Sequence, residues 1–173
     1  AKGGADHFFI EAGLPVTFLL TSFYWDNLIY FGSGPKRSPD GMLHLTLPMG
    51  DARLPGIAAE DIGRCALSIF RQLQRYIGKT VGIAGEHLTG GEMAAALSLA
   101  LGEAVLYNDL SPDDYRDLGF PGAADLGNMF QFKRDFNEYF CGVRDIASSR
   151  ELNPELQTFE QWLARHAKEI PLE

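Results

Sequence analysis

A chain of 173 residues, 46% apolar and 22% charged, has the composition of a soluble globular protein, long enough for one substantial core and short for two. Its formal charge of −8 excludes a polyanion-binding face as its main business, and no apolar run approaches the roughly 18 residues that span a bilayer, so neither direct nucleic-acid binding nor a membrane is expected. Two cysteines, Cys65 and Cys141, are too few for a disulfide framework or a zinc site, which fits a reducing, cytoplasmic setting.

The opening segment, AKGGADHFFIEAGLP, has neither an initiator Met nor the apolar core of a signal peptide. It reads as a helix already under way, so the chain is expected to be part of something longer. Phe8, Phe9 and Ala12 are spaced to cover one face, Gly13 is placed to end the helix in a left-handed conformation, and Pro15 prevents its restart. Val16–Leu20 is a nearly continuous apolar run and predicts a strand buried on both faces. An irregular region follows, with Gly32–Gly41 as an exposed loop. MLHLTLP alternates like a half-buried strand, and PMGDARLPG suggests a hairpin turning back from it.

A helix is expected from about Glu60 to Tyr76, with Ile62, Cys65, Ala66, Ile69 and Leu73 along one stripe. Cys65 falls among these apolar positions as a small core residue. A strand, a glycine-containing loop, a second helix and a short strand at AVLY come next. In SPDDY, Ser111 is placed to cap a short helix, Pro112 suits its first turn, and Asp113 and Asp114 favour the positive end of the dipole. Gly119 closes it. A longer helix is predicted from about Ala123 to Phe140, with Met129, Phe132, Phe136 and Phe140 on one face. Strands alternating with helices point to α/β architecture with a largely parallel sheet.

The stretch GKTVGIAGEHLTGGEMAAALSLALG, residues 78–102, imitates a phosphate-binding loop. A dinucleotide fingerprint needs glycines for a tight turn, for close approach of the pyrophosphate and for packing of helix on strand. Here Gly82-x-x-Gly85 is followed by Leu88 where the third glycine belongs, and no Gly-Lys-Ser/Thr closes a P-loop. Thr89 and Glu92 instead stand in capping-box spacing, which reads as a structural helix start. His7, His44, His87 and His166 belong to no metal-ligand motif, and Glu86–His87 reads as an exposed loop pair. Lys36–Arg37 and Lys133–Arg134 read as solvated surface. No nucleophile elbow is present, and no acid–base carboxylate pair can be singled out.

The phrases LPVTFLLTSFYWDN, PGIAAEDIGRCA, KTVGIAGEHLTGGEMAAAL, LGFPGAADLGNMFQF and LNPELQTFEQWL, in this order, resemble the NmrA-like family of atypical short-chain dehydrogenase/reductases. The resemblance is to the family's C-terminal part. It implies the C-terminal part of a Rossmann-like parallel-sheet domain plus the smaller substrate or partner subdomain. Residues 1–173 would then form a single NmrA-like domain lacking the N-terminal Gly-rich unit that binds the pyrophosphate of NAD or NADP.

By the same resemblance, Lys2 aligns with a lysine near the nicotinamide ribose. Tyr24, Trp25, Asp26 and Asn27 align with the segment lining the nicotinamide end of the cleft. Read from the residues alone, Lys2 is a surface lysine, Tyr24 and Trp25 are core aromatics and Asn27 is a helix cap. The family often lacks the catalytic tyrosine placed four residues before the lysine, and no Tyr-x-x-x-Lys occurs here, so no catalytic residue is named.

Three functions compete. The first is a redox-sensing or regulatory protein whose longer parent binds NADP or NAD together with a regulatory protein, and which admits homo-oligomerisation. The second is an NAD(P)H-dependent reductase of quinones or small carbonyl compounds, receiving substrate on the aromatic segment Phe23–Phe31. The third is a cofactor-free interaction module using the aromatic helix that ends at Phe140.

Overall fold

The computed structural model describes residues 3–172. A 3-10 turn, Gly3–Ala5, leads into α1 (Asp6–Glu11), after which Gly13 takes the expected left-handed conformation at φ 64°. Next come β1 (Phe18–Leu20), β2 (Phe23–Tyr24), the single-turn α2 (Asn27–Tyr30), β3 (Lys36–Arg37), β4 (Leu43–Leu47) and β5 (Leu54–Ile57). The middle of the chain supplies α3 (Ala59–Arg71), α4 (Leu73–Tyr76), β6 (Thr80–Gly82), β7 (Glu86–Leu88), α5 (Gly90–Leu101) and β8 (Val105–Asp109). It closes with α6 (Pro112–Arg116), α7 (Ala123–Asp135), α8 (Asn137–Gly142), α9 (Ile146–Leu152) and α10 (Phe159–His166).

The fold is mixed α/β with parallel sheet segments. β1 pairs with β6, β2 with β5 and β4 with β8, all parallel, while β5–β7 and β3–β4 are antiparallel. One core cluster gathers Leu43, Leu45 and Leu47 of β4, Met93 and Leu97 of α5, and the aromatic group Trp25, Phe159 and Trp162. The other joins Cys65 and Ile69 of α3 to Ile57, Ile83, Leu152 and Leu156. Cys65 is fully buried, and burial pushes its thiol up to about 11.

Several expectations are met residue by residue. β4 alternates between buried and half-buried positions, and α5 carries the complete Thr89/Glu92 capping box and ends at Gly102 in the left-handed region. Ser111 caps α6 by accepting from the Asp114 backbone nitrogen at 3.1 Å.

Others are corrected. β1 is half-buried rather than buried on both faces, because among the described residues only one of its edges is paired, to β6. Helix α1 buries none of its residues, so the Phe8 and Phe9 face is open. There is no hairpin between β4 and β5. Met49 is drawn into the core, Tyr107 Oη donates to the carbonyls of Leu47 and Gly50, and Gly50 N donates to Asp109 at 2.8 Å. Those bonds tie the turn to β8, and the chain crosses to a different sheet segment instead of returning.

The Gly32–Gly41 loop contains β3, held by Arg37 bonding Glu103 at 2.7 Å. The predicted helix at 60–76 breaks at Gln72, and the one at 123–140 breaks at Phe136. In α7 the buried face is Ala123, Gly127, Phe130 and Lys133. Gly127 has no side chain to hold off α6, since a Cβ there would meet Arg116 and the Pro112 carbonyl. Close seating on that small-residue face turns Phe132 and Phe136 outward, and only Phe140 of the predicted stripe is fully buried.

Candidate functional site at the carboxyl ends of the parallel strands

Ligands of open α/β sheets sit beyond the carboxyl ends of parallel strands, where loop backbone and side chains are free of the sheet ladder. Here that edge is made by Thr21–Asn27, which follows β1 and includes β2, and by Ile83–Ala84, which follow β6. The two are joined by the Ile83 nitrogen donating to the Leu20 carbonyl at 3.0 Å.

Lys2 lies outside the described residues. The other four expected positions are brought together on one segment, with different surroundings. Tyr24 is exposed, and its hydroxyl lies 3.0 Å from Thr21 Oγ1. Trp25 is 1% exposed and packs its indole against Phe159 and Trp162, with ring centroids 5.3 and 6.3 Å away. Its ring is a core anchor, and a Cβ at Gly56 would collide with it. Asp26 Oδ2 accepts from the backbone nitrogen of Ala59 at 2.8 Å. Asn27 begins α2 without capping it by a side-chain bond, and its carboxamide makes no hydrogen bond among the described residues. Beyond it, Tyr30 and Phe31 are exposed.

Ser22 Oγ is sealed from solvent and has no hydrogen-bond partner among the described residues. An orphaned hydroxyl of this kind costs free energy unless something bonds it, on the order of 1–3 kcal/mol. The Tyr24 phenol and the Asn27 amide, by contrast, are not sealed and leave polar groups at this edge.

The loop after α8 crosses the same edge. Gly82 gives it room, since any Cβ there would strike the Val143 carbonyl. His87 Nε2 lies 2.8 Å from the Arg144 carbonyl, to which it donates, and this fixes the imidazole tautomer. The Glu86–His87 pair is therefore half-buried on β7, with Glu86 Oε2 accepting from the Phe159 nitrogen at 2.7 Å, and is no exposed loop. Arg144 donates from Nε to the Thr21 carbonyl at 2.8 Å and from Nη1 to the Phe140 carbonyl at 3.2 Å. Its guanidinium carbon stacks 3.7 Å from the Phe140 ring centroid.

Lys133 corrects the solvated-surface expectation. It is 7% exposed, with Nζ 5.2 Å and 5.5 Å from the ring centroids of Phe130 and Phe140. Burial, reinforced by the Arg144 charge, brings its ammonium down to about 8. Burial likewise lowers Arg144 from its ordinary value. Reading for charge runs hid Lys133, whereas its phase with Ala123, Gly127 and Phe130 marks it as inward-facing. Arg144 carried no sequence signal, because its role depends on two loops 123 residues apart.

Among the described residues no group of His, Cys, Asp and Glu is arranged to hold a metal ion, and no helix is long and apolar enough to cross a membrane.

Comparison with known proteins agrees with this architecture. An NAD(P)H azoreductase of Xenophilus azovorans is 25% identical over 163 residues, covering 91% of this chain and 54% of its own length. The structure of NmrA, a negative transcriptional regulator, in complex with NAD matches with a TM-score of 0.70 at 23% identity, over 92% of this chain and 55% of that one. A NADPH-dependent quinone oxidoreductase from Escherichia coli matches at 0.70 and 18% identity, over 95% and 58%. The chain thus spans about half the length of the relatives it matches. With the order of its elements, its parallel strand pairs, and a match of residues 6–163 to the family model described as the NmrA-like family, the chain belongs to that family.

Proposed function

We propose that this chain supplies the nicotinamide-side wall of an NAD(P) site in a redox-sensing or regulatory protein of cytoplasmic setting. In this reading residues 1–173 act as one NmrA-like domain, and the Gly-rich pyrophosphate unit lies outside it. The observation that carries the proposal is the segment Tyr24–Asn27 at the carboxyl end of β2. Its phenol and carboxamide are open to a ligand, and its Trp25 is locked in the core. Tyr24 and Asn27 would hold the nicotinamide and ribose, with Lys2 assigned to the ribose by resemblance. Trp25 and Asp26 would keep the segment in place. The bound dinucleotide would supply hydride chemistry or a redox signal, and sensing requires that its oxidised and reduced forms favour different states of the protein toward a regulatory partner.

The NAD complex of NmrA supports the cofactor class, and the regulator, the azoreductase and the quinone oxidoreductase among the relatives support both regulatory and reductase readings. One observation favours the reductase as the second reading: Tyr30 and Phe31 offer an exposed aromatic surface next to the same segment, suited to a flat quinone or dye.

NADPH and NADP titrated into the protein as encoded by its complete gene test the proposal. Micromolar to millimolar binding that Tyr24→Ala and Asn27→Ala weaken is the expected result. No binding at millimolar nucleotide would overturn it and leave the interaction-module reading, with its exposed Phe132, Phe136 and Tyr139. Steady NADPH consumption with a quinone panel would transfer the assignment to the reductase.

A further inference from the structure

Two cations that share the Phe140 ring are left without counter-charges. Lys133 and Arg144 are 7% and 8% exposed, yet no carboxylate among the described residues pairs with either, and the charge that most affects Lys133 is that of Arg144 itself. The neighbouring acid, Asp135, is engaged with Arg134 at 3.1 Å. Arg144 uses Nε and Nη1 on the Thr21 and Phe140 carbonyls, so Nη2 remains free, and Lys133 Nζ makes no hydrogen bond among the described residues. Neither nitrogen is sealed, since the sealed unpartnered side-chain atoms among the described residues are Ser22 Oγ and Gln157 Oε1. Both cations rest on one ring, that of Phe140.

Buried cations are ordinarily paired, and a like-charged pair held together by protein contacts is an anion site in waiting. We infer that Lys133 and Arg144 bind the carboxylate of a small organic acid. The surroundings select that chemistry. Two free donor groups suit the two oxygens of a carboxylate, whereas a phosphate dianion would bring a third oxygen against the rings of Phe130 and Phe140 without a donor. Through Arg144 the site is tied to Thr21, at the base of the segment described above, so an acid held here lies beside the carboxyl end of β1. Binding requires no dinucleotide, so the inference stands or falls apart from the cofactor reading.

Benzoate and, in parallel, inorganic phosphate are titrated into the protein and into Lys133→Met and Lys133→Arg, with binding read by calorimetry and by the shift in melting temperature. Saturable benzoate binding is expected, weakened about tenfold or more in Lys133→Met and largely retained in Lys133→Arg. Because methionine fits an aromatic-lined pocket, Lys133→Met keeps its cooperative melting, which separates lost binding from lost folding. Equal benzoate affinity in Lys133→Met, no saturable benzoate binding, or phosphate bound in preference to benzoate would each overturn the assignment.

Discussion

The carboxylate of Asp26 accepts a 2.8 Å hydrogen bond from the backbone nitrogen of Ala59, the first residue of α3. Ala58, at the N-cap position, has no side chain that can perform this task, so a residue 33 positions before Ala59 does it instead. One bond thereby satisfies an otherwise free helix N–H, places a negative charge at the positive end of the dipole, and pins the Tyr24–Asn27 segment to α3. Asp26→Ala is expected to lower stability by about 1–2 kcal/mol, with Asp26→Asn in between because its amide oxygen still accepts. Urea unfolding measures both. An Asp26→Ala protein as stable as wild type would show that the bond contributes nothing net.

Gly82→Ala is expected to be more damaging than its size suggests. The added methyl would strike the Val143 carbonyl and force the Arg144 loop away from the strand edge. Overpacking of this kind costs about 1–3 kcal/mol, and the displaced loop would also release Arg144 from the Thr21 carbonyl. Gly91→Ala is the matched control, because its Cβ would find only Thr89 Oγ1 at 4.0 Å. A lower urea midpoint in Gly82→Ala, with little change in Gly91→Ala, is the expected pair of results.

Thr89 tests whether the glycine-rich stretch is a connection or a cradle. Its hydroxyl accepts from Glu92 N at 3.1 Å, and Glu92 Oε2 accepts from Thr89 N at 2.8 Å, which lowers the Glu92 carboxyl from its ordinary value. Thr89→Ala should therefore cost about 1 kcal/mol of stability and leave nucleotide affinity unchanged. A selective loss of nucleotide binding without loss of stability would return the stretch to the role of a phosphate loop.

The parts of this fold that were legible in the sequence are those fixed by neighbours along the chain. The Thr89/Glu92 box, the Ser111 cap, the left-handed glycines and the alternation of β4 each depend on contacts within a few residues. What escaped depends on distant partners. The hairpin failed because Asp109 and Tyr107, nearly 60 residues on, hold the turn at Gly50. The outward turn of Phe132 and Phe136 is decided by α6 seating on Gly127, which no periodicity of large residues reveals. At the candidate site, resemblance pointed to Tyr24–Asn27, but the burial of Trp25 and the use of Asp26 as a remote cap are tertiary facts. Arg144 and Lys133 escaped for the same reason.

Lys133 gives the sharpest pH prediction. In the folded protein its ammonium titrates at about 8 instead of the ordinary 10.5, so between those values the unfolded chain holds the proton and the folded one has released it. Stability must then rise with pH across that interval, and the burial penalty applies in full below about pH 8. The shift corresponds to about 3 kcal/mol, offset in part by the attraction of the ammonium to the Phe130 and Phe140 rings. Lys133→Met removes the charge while keeping apolar contact, and is expected to be more stable than wild type by about 1–2 kcal/mol at pH 7. Its advantage should shrink as the pH rises to 10.5 and vanish only above it, where the wild-type amine is neutral in both states. Urea midpoints of the two proteins from pH 7 to 10.5 measure this, and taking their difference cancels titrations common to both. A difference independent of pH would mean that Lys133 keeps its proton when folded and is not held as a desolvated, unpaired cation. Benzoate, if it pairs with Lys133, should raise the titration of the ammonium and flatten the wild-type pH dependence, while leaving that of Lys133→Met unchanged.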